Sequence, residues 1–180
     1  MKSRIFFLIP LAAFCVLVIY FALGLTKDPS VLDTDVLDNH PMGEFKLVAV
    51  EGRSEGLSAA DIKGHVSLVN FFGSWCVACL QEHPFLLNLK EKNVIPVYGV
   101  DWDEKDPKNI VRWLARHGDP YTKIGVDATG ETIIDWGITG APETFVVDKK
   151  GIIRYKHIGP ITRRSWEKTL WPLIVELRKQ

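Results

Sequence analysis

Cysteine is scarce in this chain. Its 180 residues contain three, Cys15, Cys76 and Cys79, too few for a scaffold built on disulfides. A second Cys-x-x-Cys is missing, which excludes a four-cysteine zinc site. Net charge is missing as well: 22 Lys and Arg offset 22 Asp and Glu. That balance lacks the basic footprint of a nucleic-acid binder. No internal repeat, heptad run or low-complexity tract occurs. The length suits one domain with a proper core, plus extra segments.

One long apolar run is present. Lys2 and Arg4 precede an uncharged stretch from Ile5 to Thr26. As a helix it would be about 33 Å long, enough for a bilayer core of about 30 Å. Pro10 falls in its first half, where membrane helices tolerate it. The expectation is a transmembrane anchor over residues 5–25 with residues 1–4 in the cytoplasm. A cleaved signal peptide is the competing reading, because Ala22, Leu23 and Gly24 offer small residues to a peptidase. Against it, the run is long for a signal sequence. Cys15 lies within the run and is expected to be inert. Basic residues before the span and few after it put the remainder outside the cytoplasm, in a bacterium the periplasm. Residues 26–44 read as an acidic linker, or as a strap laid over the domain; five acids and one base lie between Lys27 and Glu44.

Residues 45–180 form the soluble domain. The alternation in 45–50 predicts a strand, and 57–64 a turn or helical stub closed by Gly64. The apolar run 66–72 predicts a buried central strand. Residues 77–92 suit a helix with one apolar side, bent at Pro84. A strand over 94–102 is followed by Asp106 and Pro107, which announce a helix ending at Gly118. A further strand and a short helix lead to "ETFVVD" and "GIIRYKHI", two strands joined by a hairpin. Trp166, Leu170, Leu173, Ile174 and Leu177 recur at helical spacing as core contacts. The order implies an α/β sandwich around a mixed sheet, with parallel crossovers first and an antiparallel edge last.

Trp75-Cys76-Val77-Ala78-Cys79 stands where the central strand meets a helix. A thiol attacks only as thiolate, and free cysteine has a pKa of about 8.5. A helix start offers unpaired N–H groups and the positive end of the dipole. An exposed, acidified Cys76 is therefore expected one turn before a more buried Cys79. Cys76 would attack a partner disulfide and Cys79 resolve the mixed disulfide. Two other readings stand beside this one. A metal site would need His83, at i+4 from Cys79, with His40, His65, His117 or His157 as further ligand; His83 otherwise reads as a helix-surface residue. A structural bridge would close a loop too short to restrain the unfolded chain much.

"VNFFGSWCVAC" resembles the thioredoxin superfamily, a strand running into Trp-Cys-x-x-Cys on a helix. "GITGAPETFVVDKKGIIRYKHIGPI", 137–161, and "WCVACLQEHP" are similar to the thioredoxin-like cytochrome c biogenesis proteins called CcmG or DsbE. The likeness covers nearly all of residues 45–178. It implies a thioredoxin-like fold, with helices on both faces of the sheet. It implies a membrane-anchored periplasmic thiol:disulfide oxidoreductase that acts as reductant in cytochrome c maturation, with Cys76 as nucleophile and Cys79 as resolving thiol. The expected electron donor is a membrane thiol–disulfide transporter of the DsbD or CcdA type. The expected acceptor is apocytochrome c or a maturation partner, whose thiols must be reduced before haem is attached. No cofactor, metal or nucleic acid is implied. Pro142 matches the superfamily's cis-proline, facing the cysteines, with the backbone of Ala141 free to pair with an extended substrate. Trp75 and Glu143 would line the same groove. Asn70 stands where many thioredoxins place a buried Asp that relays protons. Glu143 is the first substitute for it, then Glu82, Asp101 and Asp103. Val77-Ala78 lacks the proline common in the family, which leaves the redox potential open. A general periplasmic disulfide reductase or oxidase, or a redox-inactive module binding metal or apocytochrome, remain alternatives at this stage.

Overall fold

The computed structural model describes residues 2–25, 39–52 and 55–180. The chain divides into two compact units, Met1–Leu32 and Asp33–Gln180. The first holds α1 (Lys2–Leu25), which contains Pro10. Its side chains are described for residues 9–23, and all of them are exposed. Among the described residues no helix is long and apolar enough to cross a membrane. Residues 5–25, expected as an anchor, lie within this helix. The boundary at residue 26 lies outside the described residues.

The second unit runs β1 (Lys46–Ala49), β2 (Leu57–Ser58), α2 (Ala59–Ile62), β3 (Ser67–Phe72), α3 (Val77–Glu91), β4 (Val97–Trp102) and α4 (Lys108–His117). β5 (Lys123–Asp127), α5 (Glu131–Asp135), β6 (Glu143–Val147), β7 (Ile153–Ile158), α6 (Arg163–Ser165) and α7 (Trp171–Lys179) complete it. One π-helical turn, Trp166–Leu170, joins α6 to α7. The strands form one mixed sheet in the order β2-β1-β5-β4-β3-β6-β7. β3, β4 and β5 are parallel neighbours. Both edges are antiparallel, β6–β7 at one and β1–β2 at the other. The sequence reading had antiparallel pairing only at the β7 edge, because a two-residue strand such as β2 carries no periodicity to read.

β3 is buried at every position, as its continuous apolar run requires of a strand with neighbours on both sides. Its side chains alternate between two cores. Leu68 and Phe72 join Leu86, Leu89, Ile110, Trp113 and Ile174 from α3, α4 and α7. Val69 and Phe71 join Ala59, Ile62, Trp136 and Phe145 on the other face. Phe71 packs against the Trp136 and Phe145 rings at 5.3 and 5.5 Å. Burial of such a side chain stabilises by about 1.5–3 kcal/mol. α3 continues through Pro84 and ends before Asn93, whose left-handed φ of 49° closes it. Asn39 and Met42 bond to Ile153 and Gly151, so residues 39–42 lie along the start of β7.

Candidate active site

The parallel strands end together, and the pairing of Phe72 with Asp101 brings the loops after β3 and β4 side by side. That carboxyl end is where ligands meet open α/β sheets. The β4 loop clamps the β3 loop. Glu104 accepts the Ser74 N–H at 2.7 Å, and the Trp102 carbonyl accepts the Trp75 indole N–H at 3.2 Å. Gly73 makes room for this: a Cβ there would stand 2.4 Å from the Trp75 indole nitrogen. Trp75 remains 47% exposed beside the cysteines, with Val77 and Leu80 also exposed.

Cys76 is the N-cap of α3, and its Sγ accepts the Cys79 N–H at 3.0 Å. This sulfur fills the place that a Ser or Asp oxygen takes at an ordinary helix start. Cys76 and Cys79 are joined by a disulfide with Cα atoms 5.3 Å apart. Cys76 is 5% exposed and Cys79 2%. The expected exposed Cys76 is corrected here: in the disulfide form both sulfurs are covered, because capping turns Cys76 inward over the helix start. The Ala141–Pro142 bond is cis, Pro142 is buried, and Ala141 is half-buried against the core that holds both cysteines.

Beneath the pair lies a polar network. The Asn70 amide donates to Glu82 Oε1 at 2.8 Å and to the Thr144 hydroxyl at 2.9 Å. Its oxygen accepts from the Tyr121 hydroxyl at 2.8 Å. Glu82 Oε2 accepts the Ile161 N–H at 2.7 Å. Glu82 follows Cys79 by three residues, so the two share one helix face. Burial pushes the Glu82 carboxyl up to about 7, and the bonds from Ile161 and Asn70 only partly oppose it. Glu82 therefore passes from neutral to charged near neutral pH.

Glu143, the first choice for that role, faces the other way. Thr144 reaches Asn70, so strand alternation turns Glu143 to the opposite face of β6. It is fully buried there beside Lys156, 2.8 Å away, and does not line an open groove. Asp103 is exposed in a loop. Asp101 is fully buried, and neither carboxyl oxygen has a partner. Burial, then the charge of Glu104, pushes it up to about 8. His83 is buried too. It packs on Trp113 at 4.3 Å, with Nε2 3.0 Å from the Gly118 carbonyl, because α4 covers that side of α3. Among the described residues no group of three or more His, Cys, Asp or Glu could hold a metal ion. Tyr121, Thr144, Lys156 and Glu104 were not foreseen. The i, i+3 spacing from Cys79 was the signal that would have put Glu82 ahead of Glu143.

A sheet of this order, with two sulfurs that close one bond at a helix start, defines a thioredoxin-fold thiol:disulfide oxidoreductase. The Redoxin family matches residues 37–170. The thiol:disulfide interchange protein DsbE of Allochromatium vinosum is 38% identical over 167 residues, 93% of this chain and 91% of that protein. The DsbE of Pseudomonas aeruginosa is 37% identical over 175 residues, 97% of this chain and 96% of that one. A solved thiol:disulfide interchange protein of Chlorobium tepidum superposes with a TM-score of 0.62 at 26% identity, covering 76% of this chain and 94% of its own. StoA of Bacillus subtilis, at 22% identity, shares the fold with a TM-score of 0.58, covering 70% of this chain and 95% of its own. The chain belongs to the Redoxin family and, within it, to the DsbE-type thiol:disulfide interchange proteins.

Proposed function

We propose that this oxidoreductase is a membrane-anchored periplasmic reductant in cytochrome c maturation. Cys76 thiolate attacks the disulfide of apocytochrome c or of a maturation partner, and one partner sulfur leaves. Cys79 then attacks Cys76 Sγ, forms the protein's own disulfide and releases the second partner thiol. Two electrons and two protons have passed to the partner. A membrane transporter of the DsbD or CcdA type returns them.

The observation that carries the reductant reading is Glu82. A strong oxidant holds its reduced form in a stabilised thiolate, by positive charge near the sulfur. Here the group one turn past Cys79 is a buried carboxyl. It withholds such stabilisation from a thiolate and favours the disulfide as the protein's resting product, so electrons flow outward. The names of the relatives support thiol:disulfide interchange, and the "GAPETF" likeness supports the cytochrome pathway. The anchor reading is supported by the sequence, an uncharged run from Ile5 to Thr26 behind Lys2 and Arg4, and by the exposed apolar side chains of Phe14, Val16, Leu17 and Phe21. Lys2 and Arg4 orient its N-terminus to the cytoplasm.

Trapping in cells tests the reading. Cys79→Ser should accumulate mixed disulfides through Cys76 with a membrane transporter or a maturation partner. Cys76→Ser should lose mature c-type cytochromes. No adducts from the first, with normal cytochromes in the second, would sink the proposal.

A further inference from the structure

Glu143 follows Pro142 directly, and its carboxyl is held from two sides. Thr139 donates to Oε1 through its backbone N–H, at 3.1 Å, and through its hydroxyl. Lys156 Nζ lies 2.8 Å from Oε2. Lys156 is itself 5% exposed, donates to the Gly137 carbonyl at 2.6 Å, and sits 5.6 Å from the centre of the Phe145 ring. The Glu143 oxygen facing Lys156 has no aligned hydrogen bond. The pair is thus a charge contact, and the aligned donation from Lys156 goes to the loop. Buried ion pairs offset their desolvation poorly, and apolar replacements of similar volume often serve stability as well. What this pair adds is geometry: it ties residues 137 and 139 to β6 and β7.

The tied loop delivers Ala141. Among the described residues, no group bonds to the Ala141 N–H or C=O. The next carbonyl, of Pro142, already accepts the Gly159 N–H at 2.9 Å. Ala141 is therefore an open rung beyond the paired end of β6, on a half-buried residue packed toward the cysteine core. An unpaired main chain at a sheet margin suits an added extended segment.

We propose that the Lys156–Glu143 pair is a positioning device that holds the open Ala141 main chain in register for an extended polypeptide carrying the disulfide to be exchanged. The inference rests on reading the Ala141 edge as the docking strand of the active site. The pair moves no electron or proton: these pass from the Cys76 and Cys79 thiols to the two partner sulfurs. It acts on binding, and so discriminates disulfides that possess a main chain from those that do not.

The test compares two oxidants of the reduced full-length protein. One is a short extended peptide with an internal Cys-x-x-Cys disulfide; the other is 2-hydroxyethyl disulfide, which has no main chain. The ratio of the two rates does not depend on how much of a variant is folded. In Lys156→Met the ratio falls about tenfold, as expected for one or two lost main-chain hydrogen bonds, and the loss appears in KM rather than kcat. Lys156→Arg, with its charge kept, restores most of the ratio. Thr139→Val, at an exposed position, lowers it about threefold and decides the matter if Lys156→Met does not fold. Unchanged ratios in the variants that fold overturn the proposal. A peptide N-methylated beside its first cysteine isolates the underlying reading: if the native protein reduces it as fast as the plain peptide, the Ala141 edge is not used, and reading and proposal fall together.

Discussion

Replacing Glu82 by Gln should reverse its effect on stability with pH. In the folded disulfide form the carboxyl releases its proton at about 7, against an ordinary 4.5. At about 1.4 kcal/mol per pH unit, that difference corresponds to about 3 kcal/mol. The folded value is raised, so below pH 4.5 both folded and unfolded chains hold the proton and no cost arises. Between 4.5 and 7 only the folded chain holds it, and stability falls as pH rises. Above 7 the full cost of a buried charge is present. Gln does not titrate. It also satisfies only one of its two neighbours, since the Asn70 amide and the Ile161 N–H both donate to this side chain; the unmet donor costs about 1–2 kcal/mol. The variant should therefore be less stable than the native protein at pH 4 by about 1–2 kcal/mol, and at least as stable at pH 8. Urea unfolding of the oxidised protein at the two pH values measures both differences, and titrations common to the two proteins cancel. A stability difference that is the same at pH 4 and pH 8 would refute the account of Glu82 as a carboxyl held neutral by burial.

Asp101→Asn should raise stability at pH 9 by more than at pH 5, because it removes a buried carboxyl without partners whose proton leaves only at about 8; equal effects at both pH values in urea titrations would count against it. Phe71→Ala should cost about 3–5 kcal/mol, since it opens a void against Trp136 and Phe145, and a loss below about 1 kcal/mol would mean that the ring is not packed as described. Gly73→Ala should displace the Trp75 indole and break its bond to the Trp102 carbonyl. A crystal structure of that variant with the bond intact would contradict the close approach at Gly73.

Much of the fold was legible because it is written locally. β3 announced itself as a continuous apolar run, α4 by Asp106-Pro107 and Gly118, and the β6–β7 hairpin by its apolar strands around Lys149, Lys150 and Gly151. β2 was not legible, being too short for a period. The cysteine pair could be read from its place at a strand–helix junction. The cis bond before Pro142 came only through likeness to a family. The network around Asn70 was hidden for a physical reason: its partners Glu82, Thr144 and Tyr121 lie 12, 74 and 51 residues away, and only the closed sheet unites them. Glu143 misled because family likeness puts Pro142 opposite the cysteines, and the carboxylate that follows it was taken to line the same groove. Strand alternation, which assigns faces, puts it on the other side. Lys156 was invisible, since a lysine in a strand reads as solvated until its partner is known.

The sulfur that exchanges electrons is also the acceptor of the Cys79 amide proton, at 3.0 Å. Each redox step alters what that sulfur is bonded to: no other sulfur when reduced, a partner sulfur in a mixed disulfide, Cys79 Sγ when the ring closes. In the disulfide form the amide proton points at this sulfur. A 15N-labelled sample of this protein thus carries its own gauge of turnover, a single backbone resonance whose position reports which sulfur species faces it, without dye, electrode or engineered probe.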